Sequence, residues 1–320
     1  MAVPDTRIKF GVDLITFYSP AFWGKPDSAS LTQAAAADPE WFWGRLFDAA
    51  VQAGLSSLEI TFPPGDWRNA LAAFGSAKGF RDELASRGLD VVSGFYSGFV
   101  TGGDVLSADR AKLIEEALQY AAFVRETGSG LLVAGLPMRK TRDAQPAHFV
   151  NADYAQRLSD VINEVGAAML REGVRLALHT EAHSVFWTRR DVDLFMLYTD
   201  PLYVWFCPDT GHLALSGTDP VAAASYHRDR VAIAHWKDAT GPAPMDVSID
   251  HNIHNDHRRY FRRVGAGSID WFSWARLVRE MRMHPVTLLE IDAVDDPVAE
   301  IIAARQFITS ALAPIYAPGT

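Results

Sequence analysis

The chain has 320 residues, 48% of them hydrophobic and 22% charged, a balance that suits a globular domain and excludes a disordered or fibrous chain. A formal net charge of -9 argues against a broad phosphate-binding surface, and Cys207, the single cysteine, excludes an intrachain disulfide. Apolar runs such as LLVAGL fall well short of the ~20 residues that span a bilayer, and MAVPDTRIKF lacks the layout of a signal peptide. A cytoplasmic location is therefore expected, with neither nucleic acid nor membrane as partner.

Short β-rich or apolar runs alternate with longer amphipathic stretches from end to end. Residues 8–15 form the first predicted strand, followed by the aromatic segments FYSPAFWG and PEWFWGRLF. The second strand, 57–60, carries Glu59 and runs into FPPGDW. Strands at 90–95 and 131–135 flank AKLIEEALQYAAFVRETG, an amphipathic helix ending in a glycine suited to a C-cap. A second such helix, YAQRLSDVINEVGAAMLREG, precedes the fifth strand at 175–179. Runs at 203–207, 231–235 and 286–290 complete eight strands, the last preceded by the polar stretch DHNIHNDHRRYFRRVGAGSIDW and the helix SWARLVREMRMH.

Eight βα units without a linker imply a parallel sheet with right-handed crossovers that closes into a single-domain α/β TIM barrel over residues 1–320. An open doubly wound sheet is the competing arrangement. No strand is followed by a glycine-rich phosphate loop, which argues against a nucleotide cofactor.

Active sites of such barrels lie where the strands run out into their following loops. The fifth strand ends LALHTEAHS, the sixth runs into CPDTGH, the seventh ends AHWKD and the eighth LLEID. These endings supply His179, Glu181 and His183, then Asp209 and His212, then His235 and Lys237, then Glu290 and Asp292. Carboxylates with imidazole suit one divalent ion, Mn2+, Mg2+ or Co2+, with Zn2+ the further option. Alone, each residue reads more simply as a helix cap, a solvated charge or a satisfied core histidine. Period-two geometry puts His235 with Lys237, and Glu290 with Asp292, on one side of a regular strand. It does not separate His179 from Glu181, which share a phase, and charge favours Glu181 as the ligand. The early aromatics belong to the core or, where they fall beyond strand ends, to a wall for a sugar face or aryl group, which would favour a glycoside or other bulky substrate.

The ordered set CPDTGHLALSGTDP, RVAIAHWKDATG, VGAGSIDW and VTLLEID resembles the xylose isomerase-like barrel superfamily of sugar phosphate isomerases and epimerases. That resemblance implies a metal held by Glu181, Asp209, His235 and Glu290, with Glu59 matching a second-strand glutamate that meets substrate. The family's glutamate often directly follows the apolar run of strand five, where this chain has His179. Either His179 replaces the carboxylate, or Glu181 is the ligand and His179 is free as a base.

The chemistry implied is proton removal next to a carbonyl of a keto-sugar, cyclitol or oxidised glycoside, giving isomerisation, epimerisation or β-elimination. His179, Glu181 or Glu290 would take the proton, while Lys237 or His212 would steady the oxyanion or protonate a departing group. His183 and Arg262 are expected at the substrate, Arg262 from the long polar loop before the last helix. The other classes are a phosphodiesterase like the abasic-site endonuclease branch, which would use His183, His251, His254 and His257 in a multinuclear cluster, and a non-catalytic sugar-binding barrel. A homo-oligomer and a heteromeric assembly are both open.

Overall fold

The computed structural model describes residues 8–101, 104–141 and 145–316; the first seven residues, part of the segment read above for a leader, lie outside them. The strands are β1 (Lys9–Asp13), β2 (Ser57–Ile60), β3 (Asp90–Tyr96), β4 (Leu131–Ala134), β5 (Arg175–His179), β6 (Val204–Cys207), β7 (His235–Trp236), β8 (Asp238–Ala239), β9 (Phe261–Arg262) and β10 (Val286–Leu289). Eight of them form a parallel sheet in the order β6-β5-β4-β3-β2-β1-β10-β7. Isolated parallel bridges from Phe206 to Val231 and from Asp209 to His235 join its two ends and close the barrel. β8 and β9 stand apart as an antiparallel pair on the mouth side of β7.

The expected strands therefore stand where the apolar runs place them, except that the first stops at Asp13, with Leu14 and Ile15 in a 3-10 turn, and the seventh is broken. Its backbone makes single bonds, Ala232 N–H to the Phe206 carbonyl at 2.9 Å and His284 N–H to the Ala232 carbonyl at 2.7 Å, and pairs regularly only at His235–Trp236.

Side-chain alternation sorts the barrel into two apolar layers. Leu131, Val133, Ala177, Cys207 and Leu288 fill the interior, while Leu132, Ala134, Leu176, Leu178, Phe206 and Leu289 pack outward on the helices. The helix Ala152–Arg171 shows how the outer ring is held. Asn151 caps its start by accepting from Tyr154 N–H, and Leu158, Val161, Ile162, Val165 and Met169 form its buried stripe. Each such side chain contributes roughly 1.5–3 kcal/mol through burial. The helix Arg110–Thr127 ends at Gly128, whose φ of 97° suits glycine, as the sequence predicts.

Candidate functional site

Strand parity decides what reaches the mouth. Ala177 and Leu288 face the barrel interior, so His179 and Glu290, two residues further on, do so at its C-terminal rim. Asp209 follows Cys207 by the same step and caps the helix Thr210–Leu215, its Oδ1 accepting from His212 N–H at 2.7 Å. That cap leaves Oδ2 turned to the centre. His235 arrives from β7, and its bridge to Asp209 fixes the two side by side.

One donor atom from each of His179, Asp209, His235 and Glu290 lies within 4.8 Å of the other three. His179 Nε2 is 3.6 Å from Asp209 Oδ2, and His235 Nδ1 is 3.9 Å from that oxygen and 2.5 Å from Glu290 Oε2. All four residues are buried, yet both ring nitrogens of His179 and Asp209 Oδ2 have no hydrogen-bond partner. Buried polar atoms are rarely left so. Two imidazoles and two carboxylates converging on unsatisfied lone pairs fit a borderline divalent cation.

A second layer steadies this set. His235 Nε2 lies 3.0 Å from Glu59 Oε1, and Ser93 Oγ donates to Glu59 Oε2 at 2.5 Å. Glu59 thus sets a carboxylate charge against the far side of His235, off the line of a hydrogen bond, and leaves Nδ1 for the centre. It is completely buried and does not line the cavity, which corrects its expected contact with substrate. Lys237 is equally buried. Its ammonium pairs with Glu290 Oε1, with Asp292 Oδ1 at 2.8 Å and with Asp209 Oδ2 at 3.5 Å, and lies 3.0 Å from His212 Nε2, so it acts on these side chains rather than directly on a ligand in the cavity. Gly211 makes room for its stem, since a Cβ there would lie 2.7 Å from Lys237 Cγ.

These contacts set the charges. Burial opposes the positive charge on His235 and Lys237, but Cys207, Glu59 and Glu290 around the first, and Asp209, Asp292 and Glu290 around the second, hold both well above their ordinary ranges. Burial pushes Glu290 up, and the neighbouring Lys237 and His235 outweigh it, leaving it well below the usual carboxylate range. Burial carries Asp292 to about 6 against the pull of Lys237. The same negative field that keeps a proton on His235 would keep a cation in its place.

Beside the four converging residues opens a cavity of about 510 Å³. Its polar side carries Asp13, Glu181, His212, His254, Arg258 and Asp292; its other side is apolar, with Ile15, Leu31, Phe62, Pro63, Phe95 and Met138 among its lining. His212 Nδ1 accepts from Ala182 N–H at 2.9 Å, and its Nε2 lies 3.0 Å from the Lys237 ammonium and 3.5 Å from Glu181 Oε1. Burial, followed by the charge of Lys237, keeps that ring neutral, well below the usual histidine range. Burial also raises Glu181, but the hydrogen bond and charge of His254 outweigh it and hold the carboxyl ionised.

Glu181 is the sequence expectation that moves furthest. The strand ends at His179, and the chain then reverses: Glu181 N–H bonds to the Phe186 carbonyl, Ser184 N–H to the Glu181 carbonyl, and His183 takes a φ of 61°. Alternation stops there, so His179 rather than Glu181 joins Asp209, His235 and Glu290. Glu181 groups instead with His254 and His257. His183 does not line the cavity. Its Nε2 meets the Pro244 carbonyl at 3.0 Å and its Nδ1 meets His257 Nε2 at 2.8 Å. Arg262 also stays away, its guanidinium donating to the carbonyls of Arg259 and Phe261; Arg258, one turn earlier, lines the cavity instead.

The early aromatics divide. Trp23 stacks on Phe42 at 4.7 Å and Phe42 meets Trp43 edge-on, a core cluster, whereas Phe62 from FPPGDW packs on Tyr18 and Phe95 at the cavity wall. Sequence reasoning passed over Asp13 and Arg258 as site residues. Asp13 was hidden inside an apolar strand, and Arg258 looked like any other charge in a polar loop.

The sequence model of the family described as "Xylose isomerase-like TIM barrel" matches residues 47–311. An inosose dehydratase of Clostridium perfringens is 22% identical over 242 residues, covering 72% of this chain and 80% of its own. Among solved structures, an L-ribulose 3-epimerase superposes with a TM-score of 0.67 at 16% identity, covering 96% of this chain and 95% of its own. A xylose isomerase-like TIM barrel protein of Mycobacterium smegmatis in complex with magnesium gives 0.68 at 15% identity, covering 99% and 100%.

Proposed function

The chain belongs to the xylose isomerase-like TIM barrel family, and on that premise we propose that it is a divalent-metal-dependent enzyme that removes a proton next to a carbonyl of a keto-cyclitol or keto-sugar and expels the neighbouring oxygen by β-elimination. The observation that carries this reading is the cluster of His179, Asp209, His235 and Glu290, buried and with unsatisfied lone pairs, opening on a cavity that also presents separate carboxyl groups. A bound divalent ion supplies Lewis acidity, drawing electron density from the substrate carbonyl.

The rest is done by side chains. Glu181, ionised and facing the cavity, takes the proton from the carbon next to the carbonyl. His212, at the cavity wall with the Lys237 ammonium 3.0 Å behind its Nε2, stands beside the oxygen on which negative charge develops. Asp292, held by Lys237, is the second carboxyl group and gives a proton to the departing oxygen. Elimination needs both a base and an acid, and this pair supplies them. The similarity to an inosose dehydratase supports the dehydration outcome.

The test is incubation of the purified protein with inosose in deuterated water, with Mn2+ or Mg2+ present, read by the ultraviolet absorbance of a conjugated ketone and by mass. Elimination with this absorbance is expected, and lost in Asp209→Asn. Deuterium uptake with an intact carbon–oxygen skeleton would make the enzyme an isomerase or epimerase, and no exchange on any keto-cyclitol or keto-sugar would overturn the reading.

A further inference from the structure

Outside the four-residue cluster, the helix Ile253–Arg258 brings two histidines over the mouth of the barrel. We propose that Glu181, His254 and His257 form a second divalent-cation site, which fastens this helix to the β5 loop. One donor atom from each of the three lies within 4.8 Å of the others, with His254 Nδ1 3.6 Å from Glu181 Oε1. His254 and His257 are one helical turn apart, so they share a face.

The independent sign is the hydrogen bonding of His257. The Pro244 carbonyl can only accept, so His183 Nε2, 3.0 Å away, carries a hydrogen. In the neutral ring His183 Nδ1 is then an acceptor, and His257 Nε2, at 2.8 Å, must donate to it. That leaves a lone pair on His257 Nδ1. His257 is 2% exposed, and this nitrogen has no hydrogen-bond partner. A histidine with one nitrogen anchored through its N–H and the other bare is prepared as a metal ligand.

Two histidines and one carboxylate form a set with open coordination positions, suited to Zn2+, Co2+ or Fe2+. Glu181 and His254 both line the cavity, so the open positions face it. The site stands on its own geometry. Its effect rests on the reading of Glu181 as the base: an ion there occupies the carboxylate and stops proton removal, so excess Zn2+ turns the enzyme off.

The experiment is titration of Zn2+ into the metal-free full chain by calorimetry, with Co2+ as a spectroscopic probe. Two equivalents are expected in the native protein, with the second at least tenfold weaker in His254→Ala, a substitution at a residue whose side chain is 56% exposed. Asp209→Asn reports on the first cluster alone, and is expected to lose one event and keep the other. Hydrogen exchange over residues 253–258 should slow as the second equivalent binds. A single equivalent in the native protein, two undiminished equivalents in His254→Ala, or loss of both events together in Asp209→Asn would overturn the second site. One equivalent that survives in His254→Ala but vanishes in Asp209→Asn leaves the first-cluster reading intact.

Discussion

Glu59 does not line the cavity, yet its carboxylate lies 3.0 Å from His235 Nε2, on the side of the ring away from the centre. Glu59→Gln should therefore weaken binding of the first divalent ion by about 10–100-fold, as read by calorimetric titration. His179 and Glu181 separate in the same way. Removal of the imidazole in His179→Ala should abolish that binding event, whereas Glu181→Gln should retain it and lower kcat by roughly 10²–10⁴-fold, the contribution of a positioned base. Equal loss of metal in both variants would contradict this division. Asp209, His235 and Glu290 were legible in the sequence because each stands at or just beyond an apolar strand run, where alternation still holds. The choice between His179 and Glu181 was not, because it depends on the strand stopping at His179 and the chain turning back through His183 at positive φ.

At the scale of elements, the helix Ile253–Arg258 is held in part by neutral rings. Burial pushes His257 down to about 4 and also lowers His183. A histidine whose folded pKa is depressed binds fewer protons than the unfolded chain between about 4 and 6.5, so stability is full above that window and is lost as pH falls through it. For His257 the loss is about 3 kcal/mol on the scale of 1.36 kcal/mol per unit. The Tm of the native protein should fall between pH 6.5 and 4, and His257→Gln should flatten that slope; an identical slope in the variant would remove His257 as the cause. The sequence showed this segment as a long polar loop able to cover the mouth. It could not show that Arg258 rather than Arg262 would face inward, because that follows from β8 pairing with β9, which commits Arg262 to the hairpin edge. The aromatic segments, open in the sequence to core or wall, divide for a related reason: Trp23, Phe42 and Trp43 pack into the helix layer, whereas Phe62 reaches the cavity wall.

For the whole molecule, the eight-fold rhythm of apolar runs was readable because a parallel barrel strand is buried on both faces and leaves a short continuous apolar signature. A cation that binds the folded chain and not the unfolded one stabilises it by about 2.7 kcal/mol at a hundred times its dissociation constant. Addition of Mn2+ should raise the Tm by several degrees in differential scanning, and Asp209→Asn should remove the rise.

The closure of the barrel gives that stabilisation a location. Among the described residues, the segments of the sixth and seventh strands share two isolated bridges, Phe206–Val231 and Asp209–His235, and the second of these joins two of the residues that converge at the centre. An ion gripped by both would rivet the least laced seam of the cylinder from within. Stripping the ion would then be felt first as faster breathing along that seam, with the amide protons of Ala232 and His235 trading with solvent well before those of β3 or β4.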